Sequence, residues 1–114
     1  MKLRKEYTCP LEFAYDILKG KWKMVILYHI HCIGRASLSD LENTIKGINQ
    51  KMLLQNLKEL MDFGLVSKYS YDGYPLRVEY FLTEERGTKV IEVLNIMQDL
   101  GKELIDDYLQ EKSI

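Results

Sequence analysis

The sequence predicts a mainly α-helical fold with one small β-hairpin, on three observations. Two short amphipathic segments flank the turn Lys46-Gly47-Ile48, which is helix-turn-helix spacing. After Gly64 the apolar period changes from helical towards two, and the cluster Asp72-Gly73-Tyr74-Pro75 divides two such runs, as in a hairpin. A long segment of helical period closes the chain.

Taken in order, a first helix is expected from Thr8 or Cys9, with Pro10 in a first turn that needs no N–H from it. Leu11, Ala14 and Leu18 line one face, Phe13 and Ile17 flank it, and Gly20 ends it. A second helix over about 21–32 sets Trp22, Val25, Ile26, His29 and Ile30 at core spacing, and Gly34 stops it. Ala36-Ser37-Leu38 is a short extended link. Ser39 with Glu42 has the spacing of a capping box and opens a third helix to about Ile45. Asn49 caps a fourth helix reaching Phe63, and Gly64 closes it. Strands are expected over 65–71 and 77–82. Thr83 then caps a last helix to about Glu111, with Glu84 and Glu85 facing its dipole and a bend near Gly87. This order is that of a winged helix with helices added at both ends.

With 114 residues, 46% of them hydrophobic, one domain over 1–114 is expected, containing a helix-turn-helix at 39–63, a wing at 65–82 and a terminal helix at 83–112. The charged start and Pro10 do not resemble a signal peptide, and no run approaches the roughly 20 apolar residues of a membrane span. Two cysteines are too few for a disulfide framework, so a cytoplasmic protein with no membrane partner is expected. The net charge of −1 conceals a division: residues 1–58 hold ten Lys and Arg against five Asp and Glu, whereas 59–114 hold six against twelve. Phosphates respond to the local field, so a basic first half is compatible with DNA.

The fourth helix has two faces. Leu53, Leu57 and Leu60, with Met61 beside them, recur at core spacing. Gln50, Lys51, Leu54, Gln55 and Lys58 project together on another side, and the acids Glu59 and Asp62 come only in the last turns. Gln can bond bidentately to an adenine edge, and Lys can meet phosphate or guanine. Lys68 and Arg77, on facing strands, are further candidates for phosphate contact. Lys21 and Lys23, beside a core Trp22, are expected at the surface.

These residues resemble a known family. Cys9-Pro10, Gly20-Lys21-Trp22-Lys23, Ile48-Asn49-Gln50-Lys51-Met52-Leu53, Leu57-Lys58-Glu59-Leu60, Gly64-Leu65-Val66, Pro75 to Arg77-Val78-Glu79-Tyr80 and Leu82-Thr83 together resemble the HxlR transcriptional regulators over about residues 9–87. The resemblance implies a winged helix-turn-helix homodimer on double-stranded DNA, joined through its N-terminal and long C-terminal helices. Gln50, Lys51 and Gln55 would lie in the recognition helix and the hairpin would be the wing. Asn49 stands where the family usually has Ser, and Leu54 where a small polar residue is common, which suits contact with a thymine methyl. The expected DNA-contacting set is Asn49, Gln50, Lys51, Leu54, Gln55, Lys58, Lys68 and Arg77.

The dimer is also expected from the residues themselves. Val90, Leu94, Met97, Leu104 and Tyr108 follow alternating steps of four and three, with Gly101 in the missing place, and Ile91, Val93 and Leu100 widen the apolar face. Two recognition helices would then address half-sites roughly 34 Å apart. Cys9, at a helix N-terminus, has a positive dipole end nearby that favours thiolate, and some members of the resembled family sense oxidants or electrophiles at this place. Cys9 is therefore a candidate redox switch, with a packing role as the alternative. Phe13, Tyr15, Trp22, Tyr28 and Tyr108 leave open a small-molecule effector at the dimer junction. His29, His31 and Cys32 lack further ligands nearby in sequence, so no metal or cofactor is expected. No phosphate loop or paired-carboxylate motif points to an enzyme, and a winged helix that binds a protein is the remaining alternative.

Overall fold

The computed structural model describes residues 1–113. It contains α1 (Pro10–Leu18), α2 (Lys23–Ile33), α3 (Leu38–Thr44), α4 (Gln50–Asp62), β1 (Val66–Tyr71), β2 (Arg77–Leu82) and α5 (Arg86–Ser113). Ile26, Leu27 and Ile30 of α2, Leu41 of α3 and Leu53, Leu57 and Leu60 of α4 are fully buried. Val66, Tyr80 and the first turns of α5, through Val90, Ile91 and Leu94, complete this core.

The helix boundaries follow local chemistry, with corrections. Cys9 precedes α1 in extended conformation, and the Glu12 carboxylate accepts from the amides of Thr8 (2.7 Å) and Cys9 (3.2 Å). The buried side of α1 is Asp16 and Ile17, while Leu11 and Ala14, expected inside, are exposed. Asp16 is drawn in because three neighbours satisfy it: Tyr7 donates at 2.8 Å, Arg4 at 3.1 Å, and Lys19 lies 3.4 Å away. A buried charge is tolerated on such terms.

The capping box of α3 is Ser37 with Asp40, not Ser39 with Glu42. The Ser37 hydroxyl accepts from the Asp40 amide at 3.1 Å and the Asp40 carboxylate from the Ser37 amide at 3.0 Å. The frame is set by the preceding residue: Ala36 pairs with Tyr80 of β2 through two backbone bonds of 2.9 and 2.8 Å. The chain is therefore extended at Ala36 and free to turn at once. Val25, expected in the core, is 40% exposed, and Leu27 takes its place inside.

β1 and β2 form an antiparallel hairpin in which Val66 faces Leu82 and Tyr71 faces Arg77. α5 starts at Arg86, later than expected, and Thr83 closes the intervening turn. Its hydroxyl donates to the Gly64 carbonyl at 2.7 Å and accepts from the Gly87 amide at 2.8 Å. Gly87 serves close packing rather than a bend, because a Cβ there would lie 2.8 Å from the Leu65 carbonyl oxygen. From Asn95 to Glu111 every residue of α5 is exposed in the single chain.

Candidate nucleic-acid interface

α4 is fixed at its start by Asn49, whose side-chain oxygen accepts from the Met52 amide at 2.8 Å. Leu53, Leu57 and Leu60 then turn inward, which forces the residues between them out. Gln50, Lys51, Leu54, Gln55 and Lys58 are all exposed, Leu54 to 41%. The structure thus brings five expected site residues onto one open face, with Asn49 at its head. The turn before α4 places Gly47 at φ +86°, a region costly for other residues. Trp22 packs beneath it, its ring 3.7 Å from where a Gly47 Cβ would stand. The indole thereby supports the turn between α3 and α4, and Lys21 lies over the ring at 4.7 Å.

Two charges near this face are not free. Lys23, expected at the surface, is buried and its Nζ lies 2.6 Å from Glu59 of α4. Glu59 also meets the Met1 amino group at 3.5 Å. Burial pushes the Glu59 carboxyl up, but the hydrogen bond and charge of Lys23 and the Met1 amine outweigh it, leaving it below its ordinary value. This acid is neutralised towards the protein. Lys58 reaches Asp62 at 3.9 Å with both side chains largely exposed, a contact worth little and easily exchanged for a phosphate.

The wing places its two cations differently. In the hairpin register Lys68 faces Tyr80 and Arg77 faces Tyr71. Alternation therefore puts Lys68 and Arg77 on opposite faces of the ribbon. Arg77 lies over the Tyr71 ring and donates to Glu79 at 2.6 Å, and Tyr71 donates to Glu79 at 2.8 Å. The Tyr71 and Arg77 hydrogen bonds hold the Glu79 carboxyl below its usual range against a smaller effect of burial. Arg77 shares its charge with Glu79, whereas Lys68 is exposed and in no ion pair recorded among the described residues.

Sequence reasoning missed the Lys23–Glu59 pair and Arg86, which donates to the Phe63 carbonyl at 2.8 Å and so terminates α4. Neither has a local signal, since the partners lie 36 and 23 residues apart. Both cysteines are free thiols: Cys9 is exposed at the start of α1, and Cys32 is exposed at the end of α2. His29 and Cys32 face an open apolar groove between α2 and α5 that Tyr28 and Met97 also line, while the His31 ring lies against Tyr28. Phe13 lines a second apolar groove, between α1 and α5, with Ile17, Val90 and Val93. Among the described residues no helix is long and apolar enough to cross a membrane.

Comparison with known proteins agrees with this arrangement. A family model described as HxlR-like helix-turn-helix matches residues 17–109. The chain is 37% identical over 103 residues to a regulatory protein, MalR, of Fusobacterium mortiferum, covering 90% of this chain and 96% of the relative. Among solved structures it is similar to the redox regulator HypR in its reduced form, with TM-score 0.77 and 33% identity, covering 83% of this chain and 92% of HypR. It is also similar to the HTH-type transcriptional regulator YtcD, with TM-score 0.79 and 33% identity, covering 87% and 99%.

Proposed function

The chain belongs to the HxlR-like helix-turn-helix family of transcriptional regulators, and from that premise we propose that it acts in the cytoplasm as a homodimer reading duplex DNA with α4, without catalytic activity of its own. The observation that carries this reading is the open face from Gln50 to Lys58, which has no carboxylate and is backed by the buried leucines of α4. Gln50 and Gln55 are assigned to base edges, Leu54 to a thymine methyl, and Lys51 and Lys58 to phosphates or guanine. Asn49 holds the helix start against the backbone. Lys68 is the stronger wing contact and Arg77 the weaker, because Glu79 draws on its charge.

The dimer is supported by what one chain leaves uncovered. Leu100, Leu104 and Ile105 of α5 are each at least half exposed, and Leu11 of α1 is 77% exposed. A projecting helix with an apolar seam gains its stability from packing against another surface. The groove between α1 and α5 continues that seam, so the partner's helices cover both.

Cys9 is proposed as an oxidant-responsive thiol. Support comes from its exposure at the start of α1 and from the similarity to HypR, a redox regulator.

The test is selection of bound duplexes from a random library, with the mass of the free protein measured in parallel. A palindromic motif and a dimer mass are expected. Lys51→Ala is expected to lower affinity and the salt slope, while Gln55→Ala relaxes preference at one base pair at a cost of roughly 1–3 kcal/mol. Equal affinity and preference for wild type and both variants overturns the assignment. For Cys9→Ser, an oxidant response of DNA binding identical to wild type removes the switch.

A further inference from the structure

The segment before α1 is not a loose tail. Met1 and Leu3 line a shallow groove with Gln55, Lys58 and Glu59 of α4. The Met1 amino group lies 3.5 Å from the Glu59 carboxylate. Farther along, Arg4 Nε lies 3.0 Å from the fully buried Asp16, and the Arg4 amide donates to the Tyr7 hydroxyl at 3.0 Å. Tyr7 itself donates to Asp16. The Tyr7 ring packs on Phe13 with centroids 5.0 Å apart, and Phe13 packs on Phe63, just beyond α4, at 6.2 Å. Residues 1–8 are thus fastened at one end to the flank of α4 and at the other to α1.

With Arg4 neutralised by Asp16 and Glu12, the cations left over are Lys2 and Lys5. Both are exposed, and neither joins an ion pair recorded among the described residues. Lys2 sits between the two residues that line the groove beside Gln55 and Lys58, so a duplex touching that edge of α4 brings its backbone within reach of this arm. The phosphates beside the base pairs assigned to α4 bring negative charge to that edge.

We propose that residues 1–8 form a second DNA-contacting element, a fixed arm that sets Lys2 and Lys5 against backbone phosphates flanking the segment read by α4. The proposal rests on α4 being the reading helix. Its contacts carry no base information, so the arm strengthens binding to every duplex alike.

The experiment compares wild type, the double variant Lys2→Ala/Lys5→Ala, and Lys51→Ala by fluorescence anisotropy over a range of salt. The probes are a duplex selected by wild type from a random library and a scrambled duplex of equal length. Each phosphate contact removed lowers the slope of log K against log salt by about 0.9. For a dimer with one or both lysines of each arm seated, the double variant's slope falls by about 1.8 to 3.6. Its affinity falls by a similar factor on both duplexes, with base preference retained. Both lysines are at the surface, so its melting temperature should match wild type. An unchanged slope in the double variant, with the Lys51→Ala slope reduced, overturns the arm and leaves α4 standing. Failure of wild type to bind any duplex overturns both.

Discussion

Replacing Lys23 by Met tests how α2 and α4 are joined. The Lys23 side chain is 7% exposed and that of Glu59 17%, with Nζ and Oε2 2.6 Å apart. Met keeps the length and apolar stem but removes the charge, leaving Glu59 only the Met1 amino group at 3.5 Å. Removing one partner of a buried pair costs about 3–5 kcal/mol, because the other charge stays behind uncompensated. Glu59 retains some water and a second cation, which places the expected cost at about 2–3 kcal/mol near pH 7. For a chain of this length that corresponds to a fall in Tm of roughly 6–15 °C.

The pH dependence gives the sharper reading. In wild type the Glu59 carboxyl is held below its ordinary value. Its stabilising contribution is therefore complete above the unfolded carboxyl's pKa of about 4.3 and is lost as pH falls through the lower folded value. In Lys23→Met, burial acts without the lysine and raises the same carboxyl, so that variant gains relative stability on acidification. The gap between the two proteins should be widest near neutrality and close below about pH 4. Urea unfolding followed by circular dichroism across this range measures it, at one protein concentration because association shifts apparent stability. Lys23→Met/Glu59→Met, which replaces the pair with apolar groups, should recover most of the loss. A single variant as stable as wild type at pH 7, or a gap that ignores pH, refutes the reasoning.

Other variants probe separate joints of the structure. Asn49→Ala removes the acceptor for the Met52 amide and should cost about 1 kcal/mol in urea unfolding; no loss means that water replaces the cap. Gly87→Ala would put a Cβ 2.8 Å from the Leu65 carbonyl and 2.9 Å from the Leu82 Cβ, and should cost about 1–3 kcal/mol because backbone has to shift. A Tm equal to wild type would show that this approach is not tight. Leu100→Glu, at a position 50% exposed in the single chain, should leave the core intact and shift sedimentation from dimer to monomer. A stable dimer in that variant removes the α5 seam from the interface.

What the sequence disclosed and what it withheld divide along contact distance. Asn49 as a cap, Gly47 in the turn and the alternation of buried leucines with exposed Gln and Lys along α4 are fixed by neighbours within about one helical turn, so they were legible. The hairpin was legible for the same reason, through its turn and its period of two. Ser37 and Ser39 both stand before an acid at capping distance, and the choice between them was made by the Ala36–Tyr80 pairing, 44 residues apart. Periodicity showed that α1 has an apolar face but not what it faces. The burial of Asp16 turned the other side inward and left Leu11 and Ala14 outside. The exposure of the Gln50-to-Lys58 face was legible in the sequence, but the state of the charges around it was not: the partners of Lys23, Glu59 and Arg4 come from other segments of the chain.

That distinction explains why the net charge of −1 is a poor guide to this molecule. The open cations Lys2, Lys5, Lys51 and Lys68 lie before or within the wing, and Glu59 of α4 is occupied by Lys23 and the Met1 amine. The unbalanced acids collect along the exposed length of α5, where Asp99, Glu103, Asp106, Asp107 and Glu111 outnumber Lys102. A duplex is then attracted to one end of the molecule and repelled from the other, which orients approach before any base is read. Burying the apolar seam of α5 against a second copy brings its acids closer together, and salt relieves that repulsion while weakening the phosphate contacts. In the proposed dimer, association and DNA binding would therefore depend on ionic strength in opposite senses, so a loss of binding at high salt with the dimer mass retained is the expected result.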